Sequence, residues 1–143
     1  MSARPIAIAV ILRADGAMLV TSAVEPGSAA AGAPRTLVRP PGGGIDAGES
    51  APDAVVRELR EELGVEALGV APLGTLEHRL RFAGRSLHEL VHVLVARLPT
   101  DATLPTRTDA GHPVWWLTPD RFDDPELEIV PPGLLQLIER ARP

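Results

Sequence analysis

Residues Pro41 to Val65 read PGGGIDAGESAPDAVVRELREELGV, and the fold is decided in this stretch. It opens on three glycines, a loop able to bring backbone against a ligand, and runs into an acid-rich helix. Ser50 is an N-cap residue with Asp53 three positions on, Pro52 falls in the first turn where its missing N–H costs nothing, and Gly64 is placed to close the other end. The predicted helix therefore spans Ala51 to Leu63. At 100° per residue Val55, Val56, Leu59 and Leu63 form an apolar stripe, and Glu58, Glu61 and Glu62 crowd onto another flank.

Glu58 and Glu62 are like charges at i,i+4 and repel, and Arg57 and Arg60 offset only part of that cost. A divalent cation turns the repulsion into a site. Carboxylate oxygens suit Mg²⁺ or Mn²⁺, and Mg²⁺ binds one or two carboxylates, several waters and the phosphates of a substrate. Glutamate-rich helices with interspersed arginine are often no more than solvated faces. A solvated face, however, requires no triple glycine and no Glu49 at one fixed offset.

The stretch resembles the Nudix hydrolases, whose box is G-x5-E-x7-R-E-U-x-E-E-x-G-U with U a bulky apolar residue. Here it reads Gly43, Glu49, Arg57, Glu58, Leu59, Glu61, Glu62, Gly64 and Val65, without departure. Seven fixed residues at ordinary frequencies coincide by chance on the order of once in 10⁸ positions. The resemblance implies an α/β/α sandwich with a mixed β-sheet. It also implies hydrolysis of a diphosphate linkage in a nucleoside diphosphate derivative: a nucleoside triphosphate, a nucleotide sugar or a damaged nucleotide. By the same resemblance Glu61, Glu62 and the carbonyl of Gly42 hold the metal, and Glu58 is a further ligand or the general base, its pKa raised by crowding. Arg57 and Glu49 pair to hold the loop against the helix. A further acid outside the box is expected, with Glu77, Glu89 and Asp109 as candidates.

The rest of the chain sets limits on this reading. One domain, residues 1–143, is expected, long enough for a single packed core. A net charge of −5 argues against general nucleic-acid or anionic-membrane binding. There is no cysteine, which excludes disulfides, thiol nucleophiles and Cys-ligated zinc, and no lysine, which leaves arginine to meet phosphate. Ile6 to Leu12 is too short for a signal segment and no run is long enough to span a membrane, so a cytoplasmic location is expected. A homodimer is compatible with everything in the sequence.

Outward from the box, Pro5 to Arg13 and Ala17 to Val24 read as a hairpin or two adjacent strands, Glu25 to Pro34 as a loop, and Thr36 to Arg39 as a strand. Arg35 or Arg39 is placed to reach phosphate, and Gly43 and Gly44 to pack against it. Glu66 to Phe82 reads as one or two strands broken near Pro72 to Gly74, with a turn at Ala83–Arg85 and a long strand from Ser86 to Leu98. His88-Glu89-x-x-His92 matches the H-E-x-x-H zinc protease pattern, which demands a helix; the β-rich run after it and the turn before it favour a strand. Val114 to Leu117 is a strand with Trp115 and Trp116 on opposite faces, and Trp115 is a candidate to stack on a nucleobase. A short helix is predicted from about Thr118 to Asp123, and a last one from Gly133 to Ala141. The whole is an α/β domain. A nucleotide-sensing domain without catalysis and a zinc protease are the alternatives to the hydrolase.

Overall fold

A computed structural model describes residues 2–141 of the chain. Strands β1 (Arg4–Val10), β4 (Gly42–Gly44), β5 (Leu68–Phe82) and β6 (Arg85–Arg97) form one sheet in the order β4-β1-β6-β5. A second sheet joins β2 (Met18–Val24), β3 (Thr36–Arg39), β7 (Val114–Leu117) and β8 (Leu127–Ile129) in the order β7-β2-β3-β8. Both sheets are mixed, because β1 runs parallel to β6 and β3 parallel to β8 among otherwise antiparallel pairs. Helix α1 (Ala51–Leu63) packs on one face of the first sheet through Ala54, Val55, Leu59 and Leu63 against Ala7, Ala9 and Leu94. The other face, with Ile6, Ile8, Val91 and Val93, packs against Val20 and Val38 of the second sheet and Leu134 of α2 (Leu134–Arg140). This is the α/β architecture expected, with the mixed sheet divided in two.

The helix starts and stops where its end signals stand. Ser50 accepts a hydrogen bond from the Asp53 N–H, and Gly64 takes the left-handed conformation at φ 67° while its N–H bonds back to Arg60. Val56 is only half-buried and Ala54 takes the deeper place.

Three expectations need correction. β1 and β2 do not form a hairpin but enter different sheets, joined only by a bridge at Leu12 and Met18. The triple glycine is not a pliant loop: it is an edge strand held to β1 in the register Ile6–Gly44, Ala7–Gly43 and Ile8–Gly42. His88-Glu89-x-x-His92 lies within β6, the strand that the sequence favours, so the two histidines cannot stand one helical turn apart around zinc. The helix expected after Thr118 is a single 3₁₀ turn, Pro119–Arg121. The break near Pro72 is real but shallow, two register shifts within the continuous strand β5.

Candidate active site

The acidic flank of α1 lies beneath β4. A Cβ on Gly43 would come within 2.7 Å of Glu58 Oε1 and 2.8 Å of its Cδ, so glycine is what allows the carboxylate to sit against the strand. The neighbouring residues Pro41 and Ile45 exchange hydrogen bonds with Ala9 and Pro5 of β1. Alternation along an antiparallel pair therefore turns Gly43 inward to Ala7, and leaves the carbonyls of Gly42 and Gly44 on the outer edge. This corrects the placing of Gly43 against phosphate: its backbone belongs to the ladder, and its contribution is room for Glu58.

Arg57 ties the parts together. Its Nε and Nη2 donate to Glu49 at 2.8 and 2.9 Å, Nη2 also to the Gly44 carbonyl at 2.9 Å, and Nη1 to Glu58 at 3.1 Å and Glu61 at 3.2 Å. Glu49 further accepts the Asp46 N–H at 3.0 Å. The Arg57 hydrogen bonds, then that of Asp46, hold the Glu49 carboxyl down to about 2. The Arg57 guanidinium is stabilised in turn, chiefly by Glu49.

Glu62 stands beside Glu58, close enough for the two side chains to act on each other. Burial pushes the Glu62 carboxyl up to about 8, and the charge of Glu58 adds to the rise; Arg39 opposes it and Asp109 reinforces it. Among the crowded carboxylates a raised pKa is thus found at Glu62. Among the described residues no group of three His, Asp or Glu side chains stands ready for a metal ion, because Glu61, 54% exposed, is turned to Arg57. The donor chemistry nevertheless fits Mg²⁺, which takes one or two carboxylates, an outward carbonyl such as that of Gly42, and water.

Of the three acids outside the box, Glu77 accepts a hydrogen bond from His88 and Glu89 pairs with His78, whereas the charge of Asp109 is felt at Glu62. Arg35 is engaged by Glu25, Glu128 and the Arg81 carbonyl, and serves the fold. Arg39 instead lines a cleft of about 170 Å³ between the two sheets, together with Thr21, Ser22, Leu37, Leu80 and Glu89. Trp115 is not among the residues lining this cleft: its ring packs in the second core layer, its Nε1 donates to Ser22 Oγ at 3.0 Å, and Arg121 covers its face at 5.5 Å. Sequence reasoning missed the cleft, since it is built from four strands far apart in the chain.

Comparison with known proteins agrees with this fold. A NUDIX hydrolase from Nitrosomonas europaea superposes with a TM-score of 0.65 at 22% identity, over 96% of this chain and 87% of that one. A MutT NUDIX hydrolase from Burkholderia pseudomallei gives 0.64 at 23%, over 99% and 100%. A 69-residue segment is 41% identical to isopentenyl-diphosphate delta-isomerase of Cereibacter sphaeroides; it covers 48% of this chain but only 37% of the isomerase. The family model for the NUDIX domain matches residues 2–138, nearly the whole chain, and by that match this protein belongs to the NUDIX family.

Proposed function

We propose that this domain hydrolyses a diphosphate linkage in a small nucleoside diphosphate derivative, using Mg²⁺, with Mn²⁺ as a substitute. The observation that carries the reading is the crowded Glu58–Glu62 pair, set under Gly43 and flanked by Arg57 and Arg39. Two half-buried acids side by side are costly to a fold unless a cation or a reaction uses them. Glu58, Glu62 and the Gly42 carbonyl would hold the metal, and Glu61 joins them by leaving Arg57. When bound, Mg²⁺ neutralises charge on the phosphoryl oxygens and lowers the pKa of water.

The protein's own groups do the rest. Arg39, between the cleft and Glu62, neutralises a phosphate while the nucleoside lies in the cleft. Arg57 fixes the Glu49 turn and the Gly44 carbonyl against α1, so that the carboxylates meet the phosphates at one geometry. Glu58 accepts the proton of the attacking water. Asp109 adds negative charge opposite the helix and is the further acid of the site.

The test is a panel of nucleoside triphosphates, nucleotide sugars and dinucleotides with Mg²⁺, read by product analysis. Cleavage between phosphorus atoms, abolished by EDTA, supports the proposal; binding without turnover makes the domain a sensor. The isomerase segment favours a second reading, diphosphate binding without hydrolysis. Isopentenyl diphosphate in the panel decides it, since isomerisation leaves the diphosphate intact.

A further inference from the structure

We propose that Glu89 selects the base of the nucleotide, and that the cleft is built for a base of the guanine type, with two adjacent N–H donors on one edge. The inference rests on the hydrolase reading above for the nucleotide itself, and on the cleft for the base. Glu89 is 5% exposed, yet it lines the cleft whose far wall carries Arg39. Its partner is His78, directly opposite across the β5–β6 pair, with Nε2 at 3.1 Å from Glu89 Oε1 and both side chains 7% exposed. A carboxylate only accepts, so His78 Nε2 carries the hydrogen and donates it. His78 Nδ1 is then buried without a hydrogen-bond partner among the described residues.

For the fold alone this arrangement is a loss. A buried ionisable pair with an orphaned nitrogen is less favourable than two apolar side chains of the same size. The pair also interrupts an apolar surface, because Leu80, Phe82 and Leu87 continue the same cleft beyond it. Apolar side chains beside this acceptor suit a planar ring that presents donors. His78 occupies only one lone pair of Oε1, which leaves the carboxylate able to accept two further hydrogen bonds. Guanine meets it with N1–H and the 2-amino group. Adenine and cytosine set a ring lone pair beside their amine, and uracil flanks its single N–H with two carbonyls. Ser22 across the cleft completes the match: its Oγ already accepts from Trp115, so its own O–H is left to donate to a base carbonyl. Arg39 then lies on the side toward Glu62, where the phosphates must go.

The experiment measures binding and turnover side by side. Calorimetry with α,β-methylene analogues of guanosine, inosine and uridine triphosphates in Mg²⁺ is run on wild type and Glu89→Gln, with hydrolysis of the natural nucleotides in parallel. A hydrogen bond to a charged acceptor is worth about a factor of 10 to 100, so wild type binds the guanosine analogue about 10- to 100-fold more tightly than the uridine one. Inosine, which lacks the 2-amino group, falls between them. Glu89→Gln turns one of the two acceptor oxygens into a donor, and the guanosine preference collapses while the melting temperature holds. Equal binding of the three analogues by wild type overturns the proposal. So does a preference that survives Glu89→Gln, or a variant that lowers turnover of every nucleotide alike with the binding ratio intact. If the variant does not fold, guanosine against inosine on wild type decides, and equal affinity overturns the proposal. Base preference without hydrolysis of any nucleotide sinks the hydrolase reading alone; hydrolysis without base preference sinks the role of Glu89 alone.

Discussion

Gly43→Ala is expected to separate activity from stability. The new methyl would stand 2.7, 2.8 and 2.9 Å from Oε1, Cδ and Oε2 of Glu58, all at the far end of a flexible side chain. To restore van der Waals distance the carboxylate must retreat by roughly 0.5–1 Å, which lengthens the 3.1 Å bond from Arg57 and the contact with Glu62. A displacement of about 1 Å in a reacting group costs on the order of 10²-fold in rate, about 2.7 kcal/mol of transition-state stabilisation. The fold has little to lose, since Gly43 has no positive φ, and replacing glycine removes roughly 0.4–1 kcal/mol of unfolded-state freedom. Gly42→Ala is the contrasting case: φ is 154° and the methyl would meet the Ala7 carbonyl oxygen at 2.0 Å, backbone on backbone. That variant is expected to lose on the order of 3 kcal/mol of stability or more. Steady-state kcat/KM on the best nucleotide of the panel, with thermal unfolding of both variants, makes the comparison. Gly43→Ala with near wild-type turnover would refute the placing of Glu58, and so would Gly43→Ala that unfolds as readily as Gly42→Ala.

Other outcomes follow from the same geometry. Arg57→Lys cannot make the two-pronged bond to Glu49 while also reaching Gly44, so kcat/KM is expected to fall at least about tenfold with a lowered melting temperature; unchanged kinetics would argue against the tie. Because the Glu62 pKa is raised in the fold, its contribution to stability is fully present below about 4.5 and is lost as pH rises through about 8. In EDTA the melting temperature should therefore drop between pH 6 and pH 9, and Glu62→Gln should remove that part of the drop. Metal binding displaces the same proton, so calorimetric affinity for Mg²⁺ should rise with pH up to about 8 and then level off. His92→Asn and zinc-selective chelators should leave turnover intact, since β6 keeps His88 and His92 from forming a helical zinc pair; loss of activity with zinc removal would reopen that reading.

What the sequence disclosed, and what it withheld, divides along local and non-local physics. α1 was legible to the residue because its signals are local: Ser50, Pro52 and Gly64 act within one turn of themselves. β3 and β7 were legible for the same reason. β4 was not, since glycine has no strand propensity, and the edge exists only because β1 and Glu58 both need to approach it closely. β8 is three residues within an acidic stretch and is defined by its pairing with β3. The crowding of Glu58 and Glu62 could be read from i,i+4 spacing. Which outside acid acts on Glu62 could not, because it depends on which strand partners capture Glu77 and Glu89. Trp115 illustrates the same limit: alternation gives a ring its face, but not what lies on that face.

The central claim is that Glu58 and Glu62 form one metal-dependent catalytic pair, and Glu62→Gln in Mg²⁺ addresses it most directly. Glutamine keeps the shape but cannot surrender a proton to a cation. The account predicts a kcat lower by about 10³-fold or more, with an unchanged or raised melting temperature near pH 8. Turnover within about tenfold of wild type, in a folded variant with normal Mg²⁺ dependence, would contradict it.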